Sequence, residues 1–589
     1  MTRRLRDTRL AAIVRGVPGV DVARTYERRW LRRDLVAGVV LTTLLVPQGM
    51  AYAELAGLPP VTGLYTTVLA LLAYAAFGSS RILVLGPDSA LGPLIAAAIL
   101  PLVGANGDPS RAVALAGLLA VLMGAMCIGA GIARIGVLAD FLSRPVRIGF
   151  LNGIAVVVLV SQLPKLFGFT TDATGLANQA EAFARGLGDG KANAPSLLLG
   201  LGSLVVILAF RRWWPVVPGI LIAVVGATVA TRVFDLMAHG VAVVGPIPSG
   251  FPTPALPDVS VHDIGALLVA AAGLAFVTLA DTTAVSRSLA AQRGEHVDAN
   301  QEIVALGVAN TAAGLFQGFP VSASATRTAV AESAGSRTQL AGVVGALAIT
   351  VILVTESGLG RSMPQSTLAA IVIAAAILLF DLRSLRWFSQ VRRSEFYLSM
   401  ATFLAVAALG VLEGILVAIV LSVGDFVRRA WRPYDAVLGR IRGRKGYHDI
   451  DRHPDAALIP GLVLYRFDAP LFFANAELFA SRLMETMRAR KDPTRWVVVA
   501  AEPITDIDTT GAEVLGRILD DLDAEGITLA LAELKGPVKD ALRRYGLYRR
   551  IGDAHVFPTL GTAIRGYLDA TDTVWVDWSD EGDDTSSTS

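Results

Sequence analysis

One cysteine, Cys127, occurs in 589 residues, so the chain can form neither an intramolecular disulfide nor a thiolate-rich metal site. Histidine is nearly as scarce, with six, and none has the spacing that holds a metal ion. No nucleophile–base pair and no phosphate-binding glycine loop stands out, so an enzyme and a resident cofactor are not expected. Charged residues make up only 17% of the chain. No sustained basic stripe lies outside the flanks of the apolar runs, which excludes nucleic acid as a partner. The first 33 residues are Arg-rich without a short apolar core and cleavage site, so no cleavable signal peptide is expected.

What fills the chain is apolar. The hydrophobic share is 53% and the mean hydropathy +0.56, values that point to a polytopic membrane protein. Fifty-seven glycines suit close helix–helix packing in lipid. The net charge of +2 averages over a basic start, an apolar middle and an acidic end. Residues 1–33 form a basic arm with Arg3, Arg4, Arg6, Arg28, Arg29, Arg32 and Arg33. Apolar runs follow at about 34–56, 60–78, 89–103, 112–133, 138–164, 195–210 and 213–231. A second series lies at about 264–287, 302–317, 323–333, 338–355, 364–381, 396–411 and 413–427. The third run of each series, 89–103 and 323–333, falls short of the ~20 residues that span a bilayer. Each follows a proline, Pro87 or Pro320. Short, proline-interrupted segments at matching places in two halves predict an inverted-repeat transporter with its site at the midplane. Basic residues at both flanks, Arg428 to Lys445 included, put both termini in the cytoplasm.

The stretch Gly318–Val330, GFPVSASATRTAV, is read as a break followed by a half-helix. Small residues from Ser322 to Thr326 leave space there. The orphan N–H groups and positive dipole end of such a half-helix suit a small anion, and Arg327 adds a full charge at bilayer depth. In the first run Pro47 frees backbone groups, while Gln48 and Tyr52, four apart, can face one cavity. Gly86-Pro87-Asp88-Ser89-Ala90 precedes the first short run, and Asp88 or Ser89 is a candidate N-cap. Asp281 ends the apolar run 264–280. It is read either as a structural ion pair with Arg327 or as the carboxylate that takes up a coupling proton or Na⁺.

From about 446 a soluble α/β domain is expected, with strands over 461–467, 496–501 and 527–534 and helices over 475–490, 510–525 and 537–547. Residues 569–589 are acidic and rich in Ser and Thr, the composition of a disordered tail.

The motifs VPQGMAYAELAGLPPVTGLY (46–65), FGSSRILVLGPDSA (77–90) and GFPVSASATRTAVAESAG (318–335), with the C-terminal domain, resemble the SulP family of sulfate permease-type anion transporters, relatives of pendrin and prestin. The resemblance runs from about 30 to 568. It implies an α-helical polytopic protein with about fourteen transmembrane segments in a seven-plus-seven inverted repeat. Core and gate domains, a cytoplasmic STAS domain over 446–568 and a homodimer in the cell membrane come with it. The transporter domain would span 34–430, as repeats 34–235 and 264–428. The resemblance places an anion site between the third and tenth helices. Ser89 and Ala90 would face Ser324, Ala325 and Thr326, lined by Gln48 and Tyr52, with Arg327 as the pocket arginine.

The resemblance also matches Asp281 to the acidic residue of the eighth helix. Sodium-dependent members carry a hydroxyl residue four positions later, where this chain has Val285, which favours a proton as the coupling ion. Sulfate is the first candidate cargo, with bicarbonate and dicarboxylates next, moved by an elevator-like transition. A nucleobase-type symporter of the same fold group and a STAS-based membrane scaffold or sensor are the alternatives. Within the STAS-like region, Thr510 matches a phosphorylated position, with Asp508 or Thr509 as plain helix caps the competing reading. The STAS partner is not identified by the residues.

Overall fold

The computed structural model describes residues 17–575 except 104–106, 136–142, 172, 215–216, 247, 249, 256, 258, 295–296, 356–359 and 443. Arg3, Arg4 and Arg6 and the acidic stretch from 576 lie outside the described residues. The chain divides into two compact units, 1–422 and 423–589.

A helix falls on every apolar run. The first series gives α1 (Leu31–Leu55), α2 (Pro60–Phe77), α3 (Gly92–Val103), α4 (Pro109–Ile132), α5 (Arg144–Leu166), α6 (Ala194–Trp213) and α7 (Gly219–Val233). The second gives α8 (Val261–Arg293), α9 (Ala299–Leu315), α10 (Ala325–Ser333), α11 (Leu340–Thr355), α12 (Gln365–Leu379), α13 (Arg393–Leu409) and α14 (Val411–Trp431). By length and composition α1, α2, α4, α5, α6, α8 and α12 are able to cross a membrane, while α3, α7 and α11 are shorter apolar helices. Two amphipathic helices add to this, Leu176–Gly188 between α5 and α6 and Leu382–Val391 between α12 and α13.

The packing repeats between the halves. The pair α4–α9 matches α2–α11 when seven is added to the helix number and the series wraps round, and α8–α4 matches α1–α11. The connecting polar contacts repeat as well. Buried Asp34 near the start of α1 accepts from the Arg337 and Thr338 N–H groups ahead of α11, at 2.7 and 3.2 Å. Asp263 near the start of α8 meets Arg111 near the start of α4 at 3.1 Å. An inverted repeat built on one scheme accounts for both.

Two helix groups result. One holds α1–α4 and α8–α11, the other α5–α7 and α12–α14. Within the first group, glycines let backbones touch. A Cβ on Gly124 would lie 2.7 Å from the Gly307 carbonyl oxygen, which is why α4 and α9 sit so close.

The second unit carries a six-stranded sheet in the order β4-β3-β5-β6-β7-β8: β3 (Asp435–Arg440), β4 (Tyr447–Asp449), β5 (Leu462–Phe467), β6 (Trp496–Ala500), β7 (Thr528–Ala532) and β8 (Val556–Phe557). Strands β5 to β8 pair in parallel, and β3 is antiparallel to both neighbours. Helices α15 (Ala476–Arg488), α16 (Thr509–Ala524) and α17 (Gly536–Arg544) cover one face through Phe479, Leu515 and Leu542. Helix α18 (Leu560–Ala570) covers the other through Ala563 and Tyr567. Residues buried on both faces explain the near-continuous apolar strands. The sheet starts at Asp435, ahead of the stretch from 446 in which the α/β pattern is legible.

Candidate anion site between two half-helices

Helices α3 and α10 are 12 and 9 residues long. Ahead of each runs a two-residue strand, β1 (Leu85–Gly86) and β2 (Ser322–Ala323). These strands pair antiparallel, Leu85 with Ala323 and Gly86 with Ser322. The ladder continues as the Ser324 N–H donates to the Val84 carbonyl at 3.1 Å. Two chain breaks between apolar helices thus satisfy each other, as backbone away from water must.

The Pro320 break is held from both sides. The Phe319 N–H donates to Thr66 Oγ1 at 3.1 Å. Asn310, fully buried on α9, accepts the Val321 N–H at 2.8 Å and donates to its carbonyl at 3.2 Å. Across the ladder, Thr328 Oγ1 accepts the Val84 N–H at 3.0 Å, and Gln339 Nε2 donates to the Ser80 and Leu83 carbonyls at 2.9 Å each.

Each half-helix has its own cap. Ser324 accepts the Arg327 N–H at 3.4 Å on α10. Ahead of α3 it is Asp88, rather than Ser89, whose Oδ1 accepts the Ala90 N–H at 2.9 Å, as expected for an N-cap. Ala325 and Thr326, in the first turn of α10, are exposed, while Ser89 and Ser324 are half-buried. The N-terminal N–H groups of a helix have no intrahelical partner, and here they lie beside accessible space. Gln48 and Tyr52 lie one turn apart on α1, both buried. Tyr52 is close enough to Ser89, Asp88 and Arg327 to interact with each. Ala90 is 4% exposed beneath them.

Arg327 is 2% exposed, and its guanidinium ties the breaks together. It donates to the Pro87 carbonyl, to the Gly86 carbonyl at 3.1 Å and to the Ser322 carbonyl at 3.4 Å. Its Nη2 lies 3.9 Å from the Asp88 carboxylate. The buried Nε–H has no acceptor among the described residues. Asp88 therefore offsets the arginine, and the electropositive character of the site comes from the helix ends and from whatever charge of Arg327 stays unbalanced.

The pairing of Asp281 with Arg327, open on sequence grounds, does not occur. Asp281 on α8 meets Arg147 at the start of α5, 3.9 Å away. A helical burial pattern reveals depth but not which distant helix stands opposite, so Arg147 escaped the sequence reading. Glu54 and Lys165, paired at 2.9 Å, escaped it too. Their signal was available: each is a lone charge close to the C-terminal end of a long apolar run. Flanking Asp281 on α8, the Thr278, Thr283 and Ser286 hydroxyls are buried without partners among the described residues. In the second unit, Asp508 caps α16 by accepting the Gly511 N–H at 2.7 Å, and Thr510 is half-buried in the first turn.

With this geometry in place, comparison with known proteins adds the following. The Sulfate permease family matches residues 31–402 and the STAS domain matches residues 453–563. A probable sulfate transporter of Mycobacterium tuberculosis is 42% identical over 550 residues, covering 93% of this chain and 98% of the relative. The chloroplastic sulfate transporter 4.1 of Arabidopsis thaliana is 31% identical over 567 residues, covering 92% and 81%. Among solved structures, the fold is similar to the murine Slc26a9 anion transporter in its inward-facing state, with TM-score 0.87, 22% identity and 95% of each chain covered. It also resembles the transmembrane domain of a cyanobacterial bicarbonate transporter, BicA, with TM-score 0.59, 23% identity, and 68% and 98% covered.

Proposed function

The chain belongs to the sulfate permease family, and from that premise we propose that it carries a small anion, sulfate before bicarbonate or a dicarboxylate, across the cell membrane. Its family makes it a multi-pass membrane transporter and not an enzyme. One observation supports the site above the others: β1–β2 pairing brings the N-termini of α3 and α10 to one place, with Ala325 and Thr326 exposed beside it. Gln48, Tyr52, Ser89, Ala90, Ser324, Ala325, Thr326 and Arg327 form the proposed binding set. N–H groups and a helix dipole bind an oxyanion without committing a full counter-charge, so the cargo is held and can also leave.

In this reading the group α1–α4 with α8–α11 carries the anion and moves, elevator-fashion, against the group α5–α7 with α12–α14. Asp281 takes the coupling proton. Its half-buried carboxylate sits on the moving group but faces Arg147 on the other, so a change in its charge alters the interface that has to slide. Val285 offers no oxygen for Na⁺, whose site would fall to the hydroxyls of Thr278, Thr282 or Thr283. The arginines flanking the membrane unit support cytoplasmic termini. A homodimer, a cytoplasmic partner for the STAS domain and phosphorylation of Thr510 complete the proposal. A phosphate there would sit at a helix N-terminus.

The test is uptake into proteoliposomes of labelled sulfate, bicarbonate, chloride and fumarate, each with and without imposed proton and sodium gradients. Sulfate accumulation driven by an inward proton gradient is the expected result. Flux no greater than in protein-free vesicles for every anion would remove transport and leave a membrane scaffold as the reading.

A further inference from the structure

Among the described residues, the ion pairs Arg147–Asp281 and Lys165–Glu54 join the helix groups, and both draw their cation from α5. Near its start Arg147 meets Asp281 of α8 at 3.9 Å, and near its end Lys165 meets Glu54 of α1 at 2.9 Å. Residues 147 and 165 are eighteen apart, which at 3.6 residues per turn is five whole turns. The two side chains therefore leave one face of the helix, separated by about 27 Å at ~1.5 Å per residue, close to the depth of a bilayer's hydrocarbon core. Between them on that face lie Ile154 and Val158, buried in the apolar cluster that also holds Leu41, Leu45 and Met50 of α1.

The opposite face of α5 is locked to its own group. A Cβ on Gly149 would sit 2.1 Å from the Ser399 carbonyl oxygen of α13, and one on Gly153 would lie 2.6 Å from Val406. So α5 is fixed on one side and reaches the anion-carrying group on the other through the two ion pairs. Apolar contact tolerates sliding, because it has little directionality. An ion pair does not, since its geometry is lost within a few ångströms of displacement. All four side chains are partly sheltered, at 31% and 27% exposure for Arg147 and Asp281 and 22% and 17% for Lys165 and Glu54.

We infer that Lys165–Glu54 and Arg147–Asp281 are paired latches at the two ends of α5, which hold the anion-carrying group in this register and must open for it to move. The inference rests on the elevator reading above, so its test needs a readout that does not depend on the cargo. A cysteine at the exposed position 329 of α10, outside the binding set (Ala329→Cys), in the full-length protein supplies it, labelled in vesicles by a membrane-impermeant thiol reagent from either side; Cys127 is buried.

Lys165→Met and Glu54→Gln should each shift the ratio of labelling from the two sides by about fivefold in the same direction, and the swap Lys165→Glu with Glu54→Lys should return it to within about twofold of the parent. Separately, in protein without the reporter cysteine, bridging Glu54→Cys to Lys165→Cys with a short bis-methanethiosulfonate, which links the two thiols through disulfides, should stop transport until the bridge is reduced. Labelling that moves while no sulfate is carried would sustain the latches and remove the cargo assignment. Unchanged ratios in both single variants, or full transport through the bridged protein, would overturn the latches whatever the cargo is.

Discussion

At the residue scale the centre of the molecule is Arg327, and its surroundings decide what replacing it does. The guanidinium binds three carbonyls on two different breaks, so its planar fork matters as much as its charge. In Arg327→Met those carbonyls and Asp88 lose their buried partner, which should cost about 3–5 kcal/mol. A thermal unfolding series in detergent should show that loss. Arg327→Lys should fail to recover it, because one ammonium cannot reach Gly86, Pro87 and Ser322 together. A lysine variant with parental stability would reduce the arginine to a point charge. Asp281 behaves differently, since its partner Arg147 is half-exposed and keeps access to water. Asp281→Asn should abolish proton-driven accumulation while folding and sulfate-for-sulfate exchange persist. Accumulation at the parental rate would take Asp281 out of coupling. That these residues matter was legible in the sequence, because a charge deep in an apolar run always requires a reason. Which charge faces which was not, because pairing across helices is set by packing that one chain's pattern does not encode.

At the element scale the site is a product of close crossings. Helix α1 carries Gln48 and Tyr52, and it meets α2 where Gly49 and Gly63 face each other. A Cβ on Gly63 would stand 1.9 Å from the Gly49 carbonyl oxygen, a backbone atom with nowhere to go. Gly63→Ala must therefore push α1 and α2 apart. It should destabilise the protein by about 1–3 kcal/mol and weaken anion binding as Tyr52 withdraws from Ser89. Equilibrium binding of labelled sulfate together with a melting curve checks both, and an alanine variant with unchanged affinity would detach Tyr52 from the site. Helices α1–α14 could be located from apolar runs alone, and the half-helices from their prolines. Helices Leu176–Gly188 and Leu382–Val391 could not, since they mix charge with apolar residues and lack the long runs by which the others were found. The β1–β2 ladder was also invisible: two-residue strands carry no periodic signal.

At the scale of the whole molecule, two separate apolar cores settle what depends on what. The first unit is built around one large cluster, drawn from both halves of the repeat. The ladder between its half-helices and the two α5 ion pairs find their partners within residues 1–422. The second unit has its own two-faced sheet, with one cluster against α15–α17 and another against α18. Each unit thus meets the usual requirement for independent folding, a core that is complete without the other. A chain cut after 445, lacking 446–589, also loses β5, the neighbour with which β3 pairs. The stranded segment 435–440 then has no sheet to join, while the β1–β2 ladder and the Arg327 hydrogen bonds lie wholly within residues 1–422. The truncated protein should insert and bind sulfate with a dissociation constant within about threefold of the full chain, a change of less than 1 kcal/mol. Binding lost altogether in well-folded truncated protein would mean that the site needs the second unit, and the independence argued from the two cores would be wrong.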